Sequence, residues 1–290
     1  MQKLTYINLN NEQAVFCGAP LVLAKIEGLG LPDLQISALN GVYQQGETVT
    51  GYRRESRVVT VTFTLLENSR TAMYARRMDL LRILSPDRAV RGDDRAILVY
   101  ENDSVQYMTY AVPLGGLQAK DRMMDAQPNM KLEFRCESPY WYAMNTSAIT
   151  FAYSGQGFSF PFSFPIDFGR RDFAKEANNR GHVNAPVEIT VQCKGEIPRI
   201  YNRTTGKRLA LVSAIAEGNT LYLNTDPARL NARIIDTEGQ ETGAFGRLSL
   251  ETPLAEFALQ PGINELVYEA GGASAQSEIV VIWRNAYEGV

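Results

Sequence analysis

The strongest constraint on the fold of this chain is an alternation of apolar and other side chains with a period of two residues. It is clearest in Arg57–Leu65, Met130–Cys136 and Val187–Lys194, where apolar residues recur at every second position. Because successive side chains of a strand point to opposite faces of a sheet, this pattern predicts half-buried antiparallel strands. Further strand candidates, separated by Gly, Pro, Asn and Asp, are Ala96–Glu101, Gln106–Leu114, Asn219–Thr225, Ile263–Tyr268 and Ile279–Arg284. The sequence therefore predicts a mainly β protein.

One segment departs from this pattern and predicts a helix over residues 69–84. It contains neither Gly nor Pro and is rich in Ala, Leu, Arg and Met, which are good helix formers. Asn68 or Ser69 can cap its beginning, and Ser85-Pro86 ends it. We expect the helix to cover an open face of the first strands through a face formed by Met73, Leu80, Leu81 and Leu84, with Ala72 and Tyr74 beside it.

The length of 290 residues corresponds to about two domains of ordinary size. A well-patterned strand ends near Pro139-Tyr140-Trp141-Tyr142, and a stretch rich in Ser, Gly, Phe and Pro follows it. We therefore expect a first β domain over residues 1–145, which carries the helix, and a second over residues 146–290. Ala143–Tyr153 can form the first strand of the second domain, and Ser154–Pro165 is expected as an extended connection or a swapped edge strand.

Composition and motifs give little support to catalysis, metal binding or nucleic-acid binding. The net charge of −3 is too close to neutral for a general nucleic-acid binder. His182 is the single histidine, and the spacing of Cys17, Cys136 and Cys193 fits neither a zinc site nor a disulfide framework. Arg91–Arg95 is interpreted as a polar turn. We expect no catalytic residue, no cofactor and no metal.

The sequence also contains no segment typical of export or membrane insertion. Met1–Asn10 lacks the apolar run of a signal peptide. Ser138–Ile166 is uncharged, but its prolines and polar side chains are incompatible with a hydrocarbon-spanning helix. Aromatic residues are concentrated in Tyr140–Phe168, and three interpretations remain open: the core of a β-sandwich, a subunit interface, or a platform on which sugars stack.

Several stretches in fixed order resemble one family, the distal tail proteins of long-tailed, siphovirus-type phages and prophages. The stretches are Leu80–Pro86, Leu132–Trp141, Asn184–Ile189, Ile200–Lys207, Leu259–Asn264 and Ile282–Val290. Asn202–Gly206 and Pro261-Gly262 have the composition of tight turns, so they are expected to connect strands. The motif and turn residues are Pro139, Tyr140, Asn202, Thr204, Thr205, Gly206, Pro261, Gly262, Asn264, Tyr287 and Gly289.

The resemblance implies an N-terminal split-barrel-like β domain with a helix and a C-terminal galectin-like or carbohydrate-module-like β-sandwich. It implies a non-enzymatic subunit whose copies form a hexameric ring between the tail tube and the tip proteins, with a channel for DNA. The expected partners are further copies of the chain, the tail tube protein, the tape-measure protein and a tail-associated tip protein. The expected location is the virion tail, after assembly in the cytoplasm of the bacterial host.

A second hypothesis makes the chain a carbohydrate-binding adhesion module of a phage tail. It rests on the aromatic-rich stretch and the expected C-terminal sandwich, and it adds carbohydrate of the host wall as a partner.

Overall fold

The protein folds into two compact units. The computed structural model describes residues 2–103, 105–118, 126–151, 173–195, 197–251, 253–271 and 277–290. Unit 1 comprises Met1–Met144 together with Tyr287–Val290, and unit 2 comprises Asn145–Ala286. The structure thus places residues 287–290 in unit 1, whereas the pattern of the sequence groups them with the second half of the chain.

Unit 1 contains twelve strands and one α-helix in its described residues. They are β1 (Gln2–Ile7), β2 (Gln13–Phe16), β3 (Leu21–Glu27), β4 (Leu34–Leu39), β5 (Thr48–Arg54), β6 (Arg57–Leu66), α1 (Arg70–Ile83), β7 (Val90–Arg91), β8 (Asp94–Arg95), β9 (Ile97–Asn102), β10 (Val105–Gly116), β11 (Ala126–Cys136) and β12 (Trp141–Ala143). A short 3-10 helix, Pro86–Arg88, follows α1.

The main sheet of unit 1 has the antiparallel order β2-β1-β9-β10-β11-β6-β3. The long strand β10 belongs to both of its halves, because Val105–Tyr110 pairs with β9 and Ala111–Gly116 pairs with β11. A bridge between Cys17 and Val22 brings the two ends of the order together. Two hairpins, β4-β5 and β7-β8, stand outside this sheet.

The core of unit 1 follows the alternation in the sequence. Every second residue is buried along β6 and, from Met130 onward, along β11, and the apolar ones form one cluster with others from β1, β9 and α1. Ser69 caps the helix by accepting a hydrogen bond from the amide of Ala72. Met73, Leu80 and Leu84 are buried, but Leu81 is 39% exposed, so its expected place in the buried face is wrong. Consecutive helical residues lie about 100° apart, which turns Leu81 away from the sheet.

The described residues of unit 2 form two antiparallel sheets. Its strands are β13 (Ser147–Phe151), β14 (Phe173–Asn179), β15 (Ala185–Gln192), β16 (Ile197–Asn202), β17 (Lys207–Ala210), β18 (Thr220–Asn224), β19 (Asn231–Ile235), β20 (Glu241–Gly243), β21 (Ala258–Leu259), β22 (Gly262–Gly271) and β23 (Glu278–Trp283). Two short 3-10 helices, Phe245–Arg247 and Leu254–Glu256, lie between them. The last strand, β24 (Ala286–Tyr287), pairs with β12 in the sheet of unit 1.

The larger sheet of unit 2 has the order β13-β23-β15-β18-β19-β20, with β21 beside the start of β15, and the smaller sheet has the order β14-β22-β16-β17. Apolar residues from both sheets form one buried cluster, which defines a β-sandwich. The prediction of a mainly β protein with an α-helix is confirmed. The expectations for Ser154–Pro165 concern residues outside the described part of the chain.

Candidate assembly interface

A solvent-exposed hairpin is the most unusual surface feature of unit 1. Strands β4 and β5 form a two-stranded sheet, and we call Leu34–Arg54 the arm. Nearly every residue of both strands is exposed or half-exposed, and at the tip Val42 and Tyr43 are 94% and 98% exposed. An isolated two-stranded hairpin is only marginally stable in water, so such a structure gains most from a surface that covers it.

One face of the arm is mostly apolar, with Arg54 at its root opposite Leu34, and the other is mostly polar, with Leu39 as its apolar exception. Leu34, Ile36 and Ala38 share a face because they alternate along β4. Tyr52 lies opposite Ile36, and Val49 lies opposite Ala38 after a bulge in β5, so both add to the same face. The bulge is essential to this arrangement, since without the extra residue Val49 and Tyr52 would point to opposite sides.

The opposite face carries mostly polar side chains and backbone. Gln35 lies opposite Arg53, and Ser37 lies opposite Gly51. A sheet with one apolar face normally buries that face against a core, as the main sheet of unit 1 does. A contiguous exposed apolar face of this kind is typical of a protein–protein interface. The arm therefore has the chemistry of an assembly element.

The root of the arm is held by one buried guanidinium. Arg57, just beyond β5, is 4% exposed and uses all five of its N–H groups. Its Nη1 donates to the carbonyl oxygens of Gly28 and Gly30, and its Nε and Nη2 donate to that of Pro139, at distances between 2.5 and 3.1 Å. Nη2 also donates to the carbonyl of Glu288. Burial lowers the pKa of Arg57, but a guanidinium remains charged in proteins.

These carbonyls belong to three separate segments of the chain. Gly28 and Gly30 precede the arm, Pro139 precedes β12, and Glu288 follows β24. Gly28 has φ +90°, and a Cβ there would lie 2.2 Å from the carbonyl oxygen of Val58, so the close approach of this segment requires glycine. Arg57 thus fixes the position of the arm with respect to the sheet.

Segment 287–290 completes the root. The Glu288 carboxylate forms an ion pair with Arg54, the last residue of β5. The amide of Val290 donates to the carbonyl of Leu29 at 3.0 Å, and Tyr287 packs edge-on against Tyr107 with ring centroids 5.1 Å apart. The segment therefore contacts the arm itself through the ion pair with Arg54, and it contacts neighbouring parts of unit 1 through backbone hydrogen bonding to Leu29 and ring packing on Tyr107.

Four of the sequence-predicted motif residues meet at this root. Pro139 supplies a carbonyl to Arg57, and Tyr140 lies under the guanidinium of Arg54 at 5.8 Å. Tyr287 and Gly289 belong to segment 287–290, and a Cβ on Gly289 would lie 3.0 Å from the Leu29 carbonyl oxygen. Their sequence separation gave no sign that they would be brought together.

The other motif residues form a second cluster, in unit 2. Asn202 Oδ1 accepts hydrogen bonds from the amides of Thr204 and Thr205, and Gly206, with φ +70°, closes the turn between β16 and β17. The hydroxyl of Thr204 accepts from the amide of Glu265 at 2.9 Å. This turn is thereby attached to β22 as well as to its own strands.

Asn264 joins this cluster from the turn that contains Pro261 and Gly262. Its side chain is buried, bonds to both the amide and the carbonyl of Gln260, donates to the carbonyl of Gly262, and accepts from Asn202 Nδ2 at 3.2 Å. Gly262 has φ +97°, which suits the third position of a type II turn. These motif residues hold two turns of the sandwich together.

Sequence reasoning missed the arm and the ion pair at its root. The alternation in Leu34–Leu39 was a usable signal for β4, but the bulge in β5 interrupts the alternation there. Arg57 gave no signal, because a charged residue at the beginning of a strand is ordinary.

The described residues contain no group of three or more His, Cys, Asp or Glu side chains placed to hold a metal ion. Within the same residues, no helix has the length and apolar character needed to cross a membrane.

Burial raises the pKa of the Cys136 thiol to about 12, so that thiol is protonated at neutral pH. Trp141 and Phe151, from the aromatic-rich stretch, are core residues, and residues 152–172 of that stretch lie outside the described part of the chain.

Solved structures of phage tail proteins share this fold. The Dit protein of phage SPP1, described as a paradigm of the hub adsorption apparatus in phages that infect Gram-positive bacteria, matches with a TM-score of 0.64, 12% identity and 99% coverage of both chains. A chain of the phage p2 baseplate in its activated conformation with strontium matches with a TM-score of 0.52, 10% identity, and coverage of 97% of this chain and 98% of that one. A chain of the phage P2 baseplate in its activated conformation with calcium matches with a TM-score of 0.53 and 10% identity. This match covers 100% of this chain and 99% of that one. No protein-family model and no curated protein sequence matches the chain. At these identities the likeness establishes the fold.

Proposed function

We propose that this protein is a structural, non-enzymatic subunit of a phage tail tip or baseplate. Copies of it associate through the arm into a closed hexameric ring, which joins the tail tube to the tip proteins and leaves a channel for DNA. The proposal combines the fold shared with the SPP1 Dit protein with the unburied apolar face of the arm. The exposed apolar face of the arm is the observation on which the proposed self-association rests.

The proposed ring requires that the arm seat on a surface of its neighbour other than the neighbour's own arm. Two arms packed face to face would satisfy each other and stop assembly at two copies. An arm that seats on a different surface of its neighbour makes a head-to-tail contact, which closes into a ring when the rotation between copies allows it. The fixed root supports this role, because an arm of defined direction sets the same rotation at every contact.

The tail tube protein, the tape-measure protein and a tail-associated tip protein are the proposed partners, and the virion tail is the proposed location. Assembly takes place in the host cytoplasm under this proposal. The near-neutral charge of −3 is compatible with a channel that passes DNA without binding it.

Substitutions on the two faces of the arm test the proposal. Ile36→Asp and Tyr52→Ser change the apolar face, and Gln35→Asp and Arg53→Ser are matched controls on the polar face of the same strands. Because these side chains are exposed, we expect all four variants to unfold like the wild type. Association is followed by sedimentation velocity and negative-stain microscopy, alone and with the tail tube protein of the same phage.

We expect closed rings for the wild type and the controls, and at least tenfold weaker association for Ile36→Asp and Tyr52→Ser. Rings that form equally well with the apolar-face variants would show that the arm is not the contact. A wild type that stays monomeric at every concentration, with and without the tube protein, would refute the ring itself.

A further inference from the structure

We infer that the outer face of the larger sheet of unit 2 binds a short, uncharged oligosaccharide, with one sugar ring stacked on Tyr222. This inference is independent of ring assembly. It rests on the register of five strands and on the way in which the side chain of Tyr222 is held.

Tyr222, at the centre of β18, is a half-exposed aromatic side chain in a fixed orientation. The guanidinium of Arg233, its neighbour on β19, lies over one face of the ring at 4.6 Å from the centroid. Burial raises the pKa of the Tyr222 phenol, and Glu188 and Asn224, two further residues of the same sheet face, lie close enough to influence that pKa. An aromatic ring whose rotamer is already fixed loses little conformational entropy when a ligand stacks on it.

The second face of the Tyr222 ring is on the side of β15, since Arg233 covers the first. The register places Thr190 opposite Tyr222, then Val280 opposite Thr190 on β23, then Thr150 opposite Val280 on β13. All three side chains are small and partly exposed. They form a row perpendicular to the strands. Because these side chains are short, the sheet surface along this row is recessed relative to the Tyr222 ring.

Longer polar side chains border this row. Glu188 lies on one side of it, and Gln192 and Glu278 lie opposite one another on the other side. Neighbouring strands are about 4.8 Å apart, so the row from Tyr222 to Thr150 is about 14 Å long, enough for roughly two or three sugar rings. The result is a shallow trough with an aromatic wall at one end.

The chemistry of the trough suits sugar hydroxyls. Glu188 and Glu278 accept hydrogen bonds, and the Gln192 amide both donates and accepts, which matches the mixed character of a hydroxyl. The C–H groups on one face of a pyranose fit the electron-rich face of an aromatic ring. The carboxylates beside the row make it unfavourable for anionic ligands such as phosphate or nucleic acid.

Binding is tested with the full chain on a glycan array that includes β1,4-linked N-acetylglucosamine and galactose oligomers. The strongest binder is then titrated by calorimetry. Tyr222→Ala removes the stacking surface, Tyr222→Phe keeps it, and Thr190→Arg fills the trough and covers the ring face on the side of β15. Phe245→Ala, at an exposed aromatic residue elsewhere in unit 2, is the matched control.

We expect at least tenfold weaker binding for Tyr222→Ala and Thr190→Arg, a change of less than about threefold for Tyr222→Phe, and none for Phe245→Ala. In a Trp141→Phe background, the fluorescence of Trp283 monitors whether unit 2 of each variant is folded, and ring formation by the four variants without that background change should be unaffected. Absence of binding to every glycan on the array, or binding that survives both Tyr222→Ala and Thr190→Arg, overturns the inference. Neither result would bear on the arm.

Discussion

Replacing Arg57 with Met should weaken unit 1 more than any other single substitution at the root of the arm. The change leaves four carbonyl oxygens without their donor, those of Gly28, Gly30, Pro139 and Glu288. Each buried unpaired carbonyl costs about 1–3 kcal/mol, and the removal of a buried charge recovers several kcal/mol of desolvation. The net loss in the free energy of unfolding is expected to be about 3–5 kcal/mol.

The chain has two tryptophans, and each reports on a different unit. Trp141 is fully buried in unit 1, with Arg57 beside it, and Trp283 is buried in the core of unit 2. In a Trp283→Phe background, urea unfolding followed by fluorescence therefore measures unit 1. For an m-value of about 2 kcal/mol/M, the expected loss lowers the midpoint by about 1.5–2.5 M.

The converse background, Trp141→Phe, measures unit 2, whose midpoint should not move. Arg57→Lys keeps a positive charge but has three N–H groups instead of five, so its loss should be about half as large. A shift of the Trp141 transition below about 1 kcal/mol, or equal shifts of both transitions, would refute the assignment of Arg57 as the residue that holds the root.

Three further substitutions test other contacts. Asn264→Ala removes four hydrogen bonds of a buried side chain, and it should cost unit 2 about 2–4 kcal/mol in the transition reported by Trp283. Gly289→Ala places a Cβ 3.0 Å from a carbonyl oxygen and should cost unit 1 about 1–2 kcal/mol, whereas Gly246→Ala, where nothing lies within 4 Å, should cost little. Hydrogen bonds from Asn8 and two arginines lower the pKa of Glu12 from 4.5 to about 2. Its stabilising contribution is present above pH 4.5 and is lost as the pH falls from 4.5 towards 2, so unit 1 should lose more stability across that window in the wild type than in Glu12→Gln. A pH profile that is the same in both proteins would contradict this.

The strands of the two cores could be predicted because a sheet that buries one face requires an apolar side chain at every second position of its strands. Arg57–Leu65 and Met130–Cys136 alternate, and the structure pairs them with Phe134 opposite Val59 in one buried layer. Helix α1 was equally predictable, since Ser69 is a strong capping residue and Pro86 ends the run of helix formers. The sequence pattern did not separate Leu80 and Leu84, which are buried, from Leu81, which lies at the margin of the buried face.

The arm could not be predicted in the same way, because no residue in the described part of the chain buries its apolar face. In the sequence alone, its apolar residues look like those of an ordinary edge strand. Only the strand register shows that Ile36 and Tyr52 lie on the same face and are both exposed to solvent. The trough beside Tyr222 has the same origin. Thr190, Val280 and Thr150 are far apart in sequence and become neighbours through strand pairing alone.

By itself, the sequence determined which segments are strands, where the helix begins and ends, and which turns require glycine, because these depend on residues a few positions apart. The tertiary structure decided which residues from distant parts of the sequence become neighbours on each surface. The five hydrogen bonds of Arg57 draw together residues from positions 28 to 288, and no local pattern encodes a contact across that separation. Long-range contacts depend on the whole set of strand pairings, so the exposed apolar face of the arm became visible only in the folded chain.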